Sequence, residues 1–307
     1  MKRLTIVVPV FNEEDNLEFF TDSIYETMAG LPDYEWRLLF VNDGSRDSSP
    51  ELLAKLAKEH QEVGYISLSR NYGHQAALTC GLDHAEGDAV ITMDGDMQHP
   101  PALIPELLRL WEEGYDVVQT IRLSTEGVSE AKKLTSRLYY KMLNYISETT
   151  VRPGGSDFRL MSRKAVDALR QYHEHARFLR GMVSALGFRQ TTLEFTAPPR
   201  HAGESKFSLR KMAHLAMDGI LSYSVVPLRL AFYIGLISSL FSLILFLHVL
   251  FEYLQGDTVP GWSTLMCVIS FFCGMQMMTL GIVGEYIGRI FAEVKHRPIY
   301  LIAEEHR

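Results

Sequence analysis

Two carboxylates spaced two apart, Asp94 and Asp96, follow the apolar run Ala89-Val90-Ile91-Thr92-Met93, with Gln98 two residues further on. Carboxylates spaced this way at a strand end can converge on one hard cation. Mg²⁺, for example, takes few protein carboxylates and completes its shell with phosphate oxygens and water. Gln98 could add another oxygen. The bland reading of Asp-Gly-Asp is a turn. What favours a cation here is the company the triplet keeps. Asp43 ends another apolar run in Asn42-Asp43-Gly44-Ser45, where an acceptor could meet a base N–H or a ribose hydroxyl; turn chemistry is its competing reading. Asp157, after the Pro153-Gly154-Gly155 break, could serve as a general base, as a substrate hydrogen-bond partner, or as a cap.

Basic residues complete the candidate set. Arg122, Arg137, Arg200 and Lys206 are candidate phosphate clamps, since the planar guanidinium fork matches phosphate. Exposed arginines are usually only solvated, so position decides. Arg200 and Lys206 lie in a Pro- and Gly-rich loop, 198–206. Lys132, Lys133 and Arg137 would attract anionic head groups in any case. His74, His99 and His201 lack zincin-type spacing on a helix and read as wall residues.

These residues need positioning. Leu4 to Val10, Trp36 to Val41, Tyr65 to Leu68, Ala89 to Met93 and Val117 to Ile121 are near-continuous apolar runs separated by helical patterns. Such runs predict α/β architecture: a mostly parallel sheet with helices on both faces. Ligands then bind outside the carboxyl ends of the strands. The polar clusters at 12–14, 43, 70–74, 94–98 and 122 all fall at those ends. Pro50 suits the first turn of a helix capped by Ser49, and Gln190 to Phe195 alternates like a strand. Neither a dinucleotide fingerprint nor a P-loop is present.

The last third is different. Ala231 to Phe251 and Trp262 to Val283 carry no formally charged residue, and each reaches the ~20 residues needed to cross a bilayer as helix. Gly274, Gly281, Gly284 and Gly288 would let helices approach closely. The 252–261 connector has two acidic residues and no Lys or Arg, whereas Arg229, Arg289, Lys295, Arg297 and Arg307 flank the pair. By the positive-inside rule both termini are cytoplasmic. The apolar run at the start is too short for a signal peptide and reads as a first strand. Mixed apolar and basic residues over 207–222 suit an interfacial helix. Glu285 is expected at the membrane interface.

Composition agrees with a globular domain plus a membrane appendage: 307 residues, 47% hydrophobic, 22% charged. A net charge of -7 makes nucleic acid a poor partner. Cys80, Cys267 and Cys273 show no metal-ligand spacing and read as reduced packing residues.

Val-Pro-Val-Phe-Asn-Glu-Glu at 8–14, Asn-Asp-Gly-Ser at 42–45, Ser-Arg-Asn-Tyr-Gly-His at 69–74 and Asp-Gly-Asp-Met-Gln-His-Pro at 94–100 together resemble family 2 glycosyltransferases of the GT-A fold. Ser-Asp-Phe-Arg-Leu at 156–160, Gly-Glu-Ser-Lys-Phe at 203–207 and Gly-Glu-Tyr-Ile-Gly-Arg at 284–289 are similar to the polyisoprenyl-phosphate branch, which includes dolichol-phosphate mannose synthases and bactoprenol glucosyltransferases. The resemblance spans essentially the whole chain.

It implies a GT-A Rossmann-like catalytic domain at 1–205, a juxtamembrane amphipathic segment at 206–228, two transmembrane helices within 229–290 (about 231–251 and 262–283) and a cytoplasmic tail at 291–307. Pro9, Phe11, Glu13 and Asp43 would hold the nucleoside. Asp94, Asp96 and Gln98 would hold Mg²⁺ or Mn²⁺ with the diphosphate. Arg200 and Lys206 would reach the donor; Arg122, Arg137 and Lys206 would reach the lipid phosphate. Asp157, Asp96 and Arg122 form the implied catalytic set. The implied reaction inverts the anomeric carbon while moving a hexose from a nucleotide-diphosphate sugar, UDP ahead of GDP, to a polyisoprenyl phosphate such as undecaprenyl phosphate. The implied setting is the plasma (inner) membrane, as a multi-pass protein with its catalytic domain in the cytoplasm and a homo-oligomer open. Competing expectations are a processive or other-acceptor membrane transferase, for which two spans are few, and a non-catalytic sugar-nucleotide-binding partner.

Overall fold

The structure is a computed structural model and describes residues 1–123, 155–175, 177–196, 226–255 and 261–306. It divides into two compact units, Met1–His214 with Pro298–Arg307, and Leu215–Arg297. Arg137, Arg200, His201, Lys206, Lys132, Lys133 and the 207–222 segment lie outside the described residues.

The first unit runs β1 (Lys2–Val10), α1 (Leu17–Ala29), β2 (Tyr34–Asn42), α2 (Ser49–Glu59), β3 (Val63–Leu68), α3 (His74–His84), β4 (Ala89–Thr92), a 3-10 turn (Pro101–Leu103), α4 (Ile104–Glu112), β5 (Val117–Arg122), β6 (Gly155–Ser162), α5 (Arg163–Arg170), α6 (Leu179–Ala185) and β7 (Gln190–Phe195). A last strand, β8 (Ile302–His306), comes from the far carboxyl end of the chain. The eight strands among the described residues form one sheet in the order β7-β5-β6-β4-β1-β2-β3-β8. β1 pairs parallel with β2 and β4, β2 with β3, and β5 with β7. β6 runs antiparallel to β4 and β5, and β8 antiparallel to β3.

The unbroken apolar strands are explained by burial on both faces. Successive strand residues point to opposite faces. Leu4, Ile6, Val8 and Val10 of β1 enter the core with Phe20 and Ile24 of α1 and Ile104, Leu107 and Leu108 of α4. Phe20 meets Phe40 of β2 edge-on at 6.1 Å. On the opposite face α3 presses so close that a Cβ on Gly81 would fall 2.1 Å from Val7 Cγ1. Glycine is the residue that fits that approach.

Two features differ from expectation. β6, where the sequence announced no strand, runs antiparallel to β4 and β5. Within 291–307, where the sequence announced no strand, β8 extends the sheet beside β3. Tyr65 OH donates to Glu304 Oε1 at 2.7 Å, Ser69 N–H to the Leu301 carbonyl at 2.8 Å, and Tyr300 OH to Asp83 Oδ2 at 2.9 Å.

The second unit contains α7 (Val226–Gln255) and α8 (Trp262–Val294). Val226–His248 is long and apolar enough to cross a membrane. Phe232, Leu236, Ile237 and Leu240 of this stretch are more than half exposed, which suits a helix whose solvent is lipid. α8 covers the second expected span but is not marked out in the same way among the described residues. Phe241 and Phe272 bring the two helices together, with ring centroids 6.3 Å apart. Among the described residues, a Cβ on Gly274, Gly281, Gly284 or Gly288 would meet nothing within 4 Å. Glu285 pairs with Arg289 one turn on, at 3.2 Å.

Candidate active site

Parallel strands β1, β2 and β4 deliver their carboxyl ends to one edge of the sheet. The reversed β6 brings its first residues to that same edge, with Thr92 in register with Arg159. Thr92 Oγ1 donates to the Asp157 carbonyl at 2.6 Å. His74, the first residue of α3, stands between the two carboxylates. Its Nε2 is 3.6 Å from Asp94 Oδ1 and 3.4 Å from Asp157 Oδ2. Gly73 sets this direction with φ 99°, a conformation glycine adopts without strain. Burial lowers the His74 imidazole; Asp157 and Asp94 more than reverse that, leaving it raised above its ordinary value.

The loops after β1 and β2 are stitched together. Asn12, itself left-handed at φ 55°, donates its N–H to Ser45 Oγ at 3.0 Å and accepts the Arg46 N–H on Oδ1 at 2.8 Å. Glu13 N–H reaches Ser49 Oγ at 3.0 Å. Ser49 is therefore inside α2 and bound across the loop, and the N-cap position falls to Ser48. Pro9, Phe11 and Glu13 are half-buried at this end of β1, and Glu13 Oε2 accepts the Asn16 amide at 2.7 Å. Asp43 is 3% exposed. Its two oxygens accept the N–H groups of Tyr72 and Gly73 at 2.7 and 2.9 Å, so the turn chemistry held open for it is realised. Burial pushes its carboxyl up; those two N–H groups, His74 and Arg70 oppose the rise. Gly44 (φ 66°) lies so close to the next loop that a Cβ would be 2.5 Å from the Arg70 carbonyl carbon.

The Asp94–Gln98 turn closes on itself. Asp96 Oδ1 accepts the Gln98 N–H at 3.1 Å, and Met97 is left-handed at φ 62°. Arg122, at the end of β5, places Nη1 3.4 Å from Gln98 Oε1. Asp94 Oδ1 is buried and, among the described residues, has no hydrogen-bond partner. Among the described residues no three His, Cys, Asp or Glu groups cluster to form a complete cation cage. Two carboxylates, one with an unsatisfied buried oxygen, fit a hard divalent ion that draws its remaining ligands from phosphate and water.

Asp157, 4% exposed, is gripped from several sides. Arg159 Nη2 is 2.7 Å from Oδ1; Arg180 supplies Nε at 3.1 Å to Oδ1 and Nη2 at 2.9 Å to Oδ2; Gln75 Nε2 is 3.5 Å from Oδ2. Burial penalises the charged carboxylate, but Arg180, His74 and Arg159 overcome it and hold the group well below the usual carboxylate range. Such a group is a weak base and a firm electrostatic anchor.

Residues 5–170 match the family described as Glycosyl transferase family 2. The chain belongs to glycosyl transferase family 2. The transferase also matches the GtrB C-terminal hairpin family over residues 226–290. It is 40% identical over 302 residues to an uncharacterized glycosyltransferase of Synechocystis sp., covering 98% of this chain and 95% of that relative. Similarity to the SfII prophage-derived bactoprenol glucosyl transferase of Shigella flexneri is 39% over 306 residues, or 99% of both chains. Among solved structures, glucosyl-3-phosphoglycerate synthase from Mycobacterium tuberculosis aligns with 72% of this chain and 76% of its own, at 17% identity and a TM-score of 0.50. That likeness is one of fold, and agrees with the expected GT-A architecture.

Most of the transferase's expected donor-side residues gather at one sheet edge: Pro9, Phe11, Glu13, Asp43, Asp94, Asp96 and Gln98, with Arg122 reaching Gln98. Four contributors were not singled out in sequence: His74 as a bridge, Gln75, Arg159 and Arg180. Arg159 was accessible by strand periodicity, since it shares a face with Asp157 two residues away. Arg180 lies 23 residues from Asp157 and arrives through the docking of α6, so no local pattern announces it.

Proposed function

We propose that this transferase moves a hexose from a nucleotide-diphosphate sugar, preferably a UDP-sugar, to a polyisoprenyl phosphate such as undecaprenyl phosphate. The product is a lipid-phosphate monosaccharide with inverted anomeric configuration. The observation that carries this reading is the full-length similarity to bactoprenol glucosyl transferases, combined with the convergence of Asp94 and Asp157 on His74.

In this reading Pro9, Phe11, Glu13 and the Asp43-braced loop hold the nucleoside, and Asp94, Asp96 and Gln98 hold Mg²⁺ or Mn²⁺ beside the diphosphate. Such a cation would neutralise the charge that develops on the leaving diphosphate. A lipid phosphate oxygen attacks the anomeric carbon; one carbon–oxygen bond forms as the bond to the diphosphate breaks. The nucleophile is already anionic near neutral pH, so no proton has to move. Asp157 is therefore assigned to orientation: its network fixes His74, which faces the reacting region. Arg122 and Arg137 receive the lipid phosphate, Arg200 the donor, and Lys206 both. α7 and α8 are assigned as two spans of the plasma membrane with both termini and the catalytic domain in the cytoplasm, which raises the effective concentration of the acceptor. Homo-oligomers are compatible with the open glycine positions of α8.

A donor panel of radiolabelled UDP- and GDP-sugars, supplied with undecaprenyl phosphate to membranes carrying the chain, tests this reading. One donor should give a lipid-extractable monosaccharide, lost with EDTA. Asp96→Ala should lower turnover about 100-fold or more, the scale of one lost preorganised electrostatic contact, while expression and membrane insertion persist. A polymeric product, or unchanged turnover in Asp96→Ala, would refute it.

A further inference from the structure

The two loops that carry the opposed carboxylates are joined through one buried imidazole. His99 is 7% exposed. Met97 is left-handed at φ 62°, and the His99 ring reaches back to Asp94. Nδ1 accepts the Asp94 backbone N–H at 2.8 Å. A ring nitrogen that accepts carries no hydrogen, so the neutral ring holds its hydrogen on Nε2. Nε2 then donates to Ser156 Oγ at 2.6 Å. Ser156 Oγ also accepts the Phe158 N–H at 3.2 Å, and the imidazole lies on the Phe158 ring at 5.2 Å and 22°.

Buried histidines commonly pair both ring nitrogens. What distinguishes this one is where its partners sit: one is the backbone of Asp94, the other the residue immediately before Asp157. Thr92 and Asp157 share a further bond just beneath, but on the Asp94 side the loop has left the sheet, and β4 ends at Thr92. Beyond that point His99 supplies the cross-link.

We propose that His99 is a positioning residue that sets the spacing between the Asp94 turn and the start of β6, and so between the donor diphosphate and the acceptor. The inference rests on the donor-site reading of Asp94 given above. His99 touches neither substrate; it acts through Asp94 and Ser156.

The test uses the full chain in detergent, with Mn²⁺ affinity read by electron paramagnetic resonance in the presence of UDP, alongside kcat and KM for transfer. His99→Phe keeps a flat ring against Phe158 and removes both nitrogens; Mn²⁺ affinity should weaken about tenfold, the lower end for loss of a group supporting a metal ligand. His99→Asn offers an amide oxygen close to the Nδ1 position and should recover most of that affinity. Ser156→Ala should keep Mn²⁺ affinity while kcat falls about tenfold with donor KM little changed. Wild-type Mn²⁺ affinity in a folded His99→Phe would overturn the proposal. So would equal losses in His99→Phe and His99→Asn, which would assign the effect to packing. If His99→Phe does not fold, His99→Asn and Ser156→Ala decide: unchanged kcat in both overturns the proposal. A wild-type chain with no UDP-dependent Mn²⁺ signal would overturn the donor-site reading, and this inference with it, whereas failure of the inference alone shows only in the variants.

Discussion

Arg180 forks the carboxylate of Asp157, with Nε 3.1 Å from Oδ1 and Nη2 2.9 Å from Oδ2. Residues 23 apart in sequence thereby share one planar contact, and the carboxylate that faces His74 is fixed in rotation. Lysine keeps the charge but loses the fork. Arg180→Lys should therefore lower kcat about tenfold, the equivalent of one hydrogen bond to a charged group, with donor KM nearly unchanged. A variant with wild-type kcat would show that the fork has no bearing on transfer.

Acid should act through the same carboxylate. Asp157 is held well below its ordinary value in the folded chain, and titrates near ~3.9 when unfolded. Its stabilising charge is fully present above that value and is lost as pH falls through the folded-state pKa. Wild type should thus lose thermal stability on acidification below about pH 4. Asp157→Asn starts lower at neutral pH, by about 3–5 kcal/mol, because Arg159 and Arg180 lose their partner. It should then fall less on further acidification. Parallel melting curves for the two proteins across this range would contradict the assignment.

Gly44 combines a left-handed φ of 66° with a 2.5 Å approach of its would-be Cβ to the Arg70 carbonyl carbon. Gly44→Ala should separate the two loops that meet beneath Asp43. The backbone strain alone costs about 1–3 kcal/mol, and nucleotide binding should weaken with the fall in melting temperature. Calorimetric titration with UDP measures the first effect. Wild-type affinity in the alanine variant would show that the loop contact is dispensable to nucleotide binding.

The carboxyl-terminal strand should protect the sheet edge. Deleting residues 302–307 removes the Tyr65–Glu304 hydrogen bond and the ladder on β3. Amide hydrogen exchange over Val63–Leu68 should then accelerate while β1 and β4 stay protected. Unchanged protection of β3 would mean that the strand adds nothing to that edge.

Much of this architecture was legible in sequence because buried parallel strands advertise themselves. Leu4 to Val10, Tyr65 to Leu68 and Ala89 to Met93 are apolar on both faces, and polar residues mark where each leaves the core. The position of Asp94 and Asp43 at one edge follows from that alone. β6 was not legible: Gly155-Ser156-Asp157-Phe158-Arg159 mixes polar and apolar residues, and its place is set by antiparallel pairing with β4 and β5, distant in sequence. β8 was hidden for another reason: Ile302-Ala303-Glu304-Glu305-His306 is polar, and its pairing with β3 depends on contacts more than 200 residues away in sequence, such as Tyr65 with Glu304. His99 reads as a wall residue in sequence; its two-sided bonding becomes visible only once the Asp94 backbone and Ser156 stand on either side of the ring.

In the proposed function Asp94 and Asp96 face a nucleotide diphosphate at the shared strand edge. The most direct measurement is a structure of the full chain with Mn²⁺ and UDP, with the metal located by its anomalous scattering. The expected result is a Mn²⁺ peak bounded by Asp94 and Asp96, with the uracil ring on the Asp43 side of the same edge. A peak away from those carboxylates, or a nucleotide bound on another face of the sheet, would contradict it.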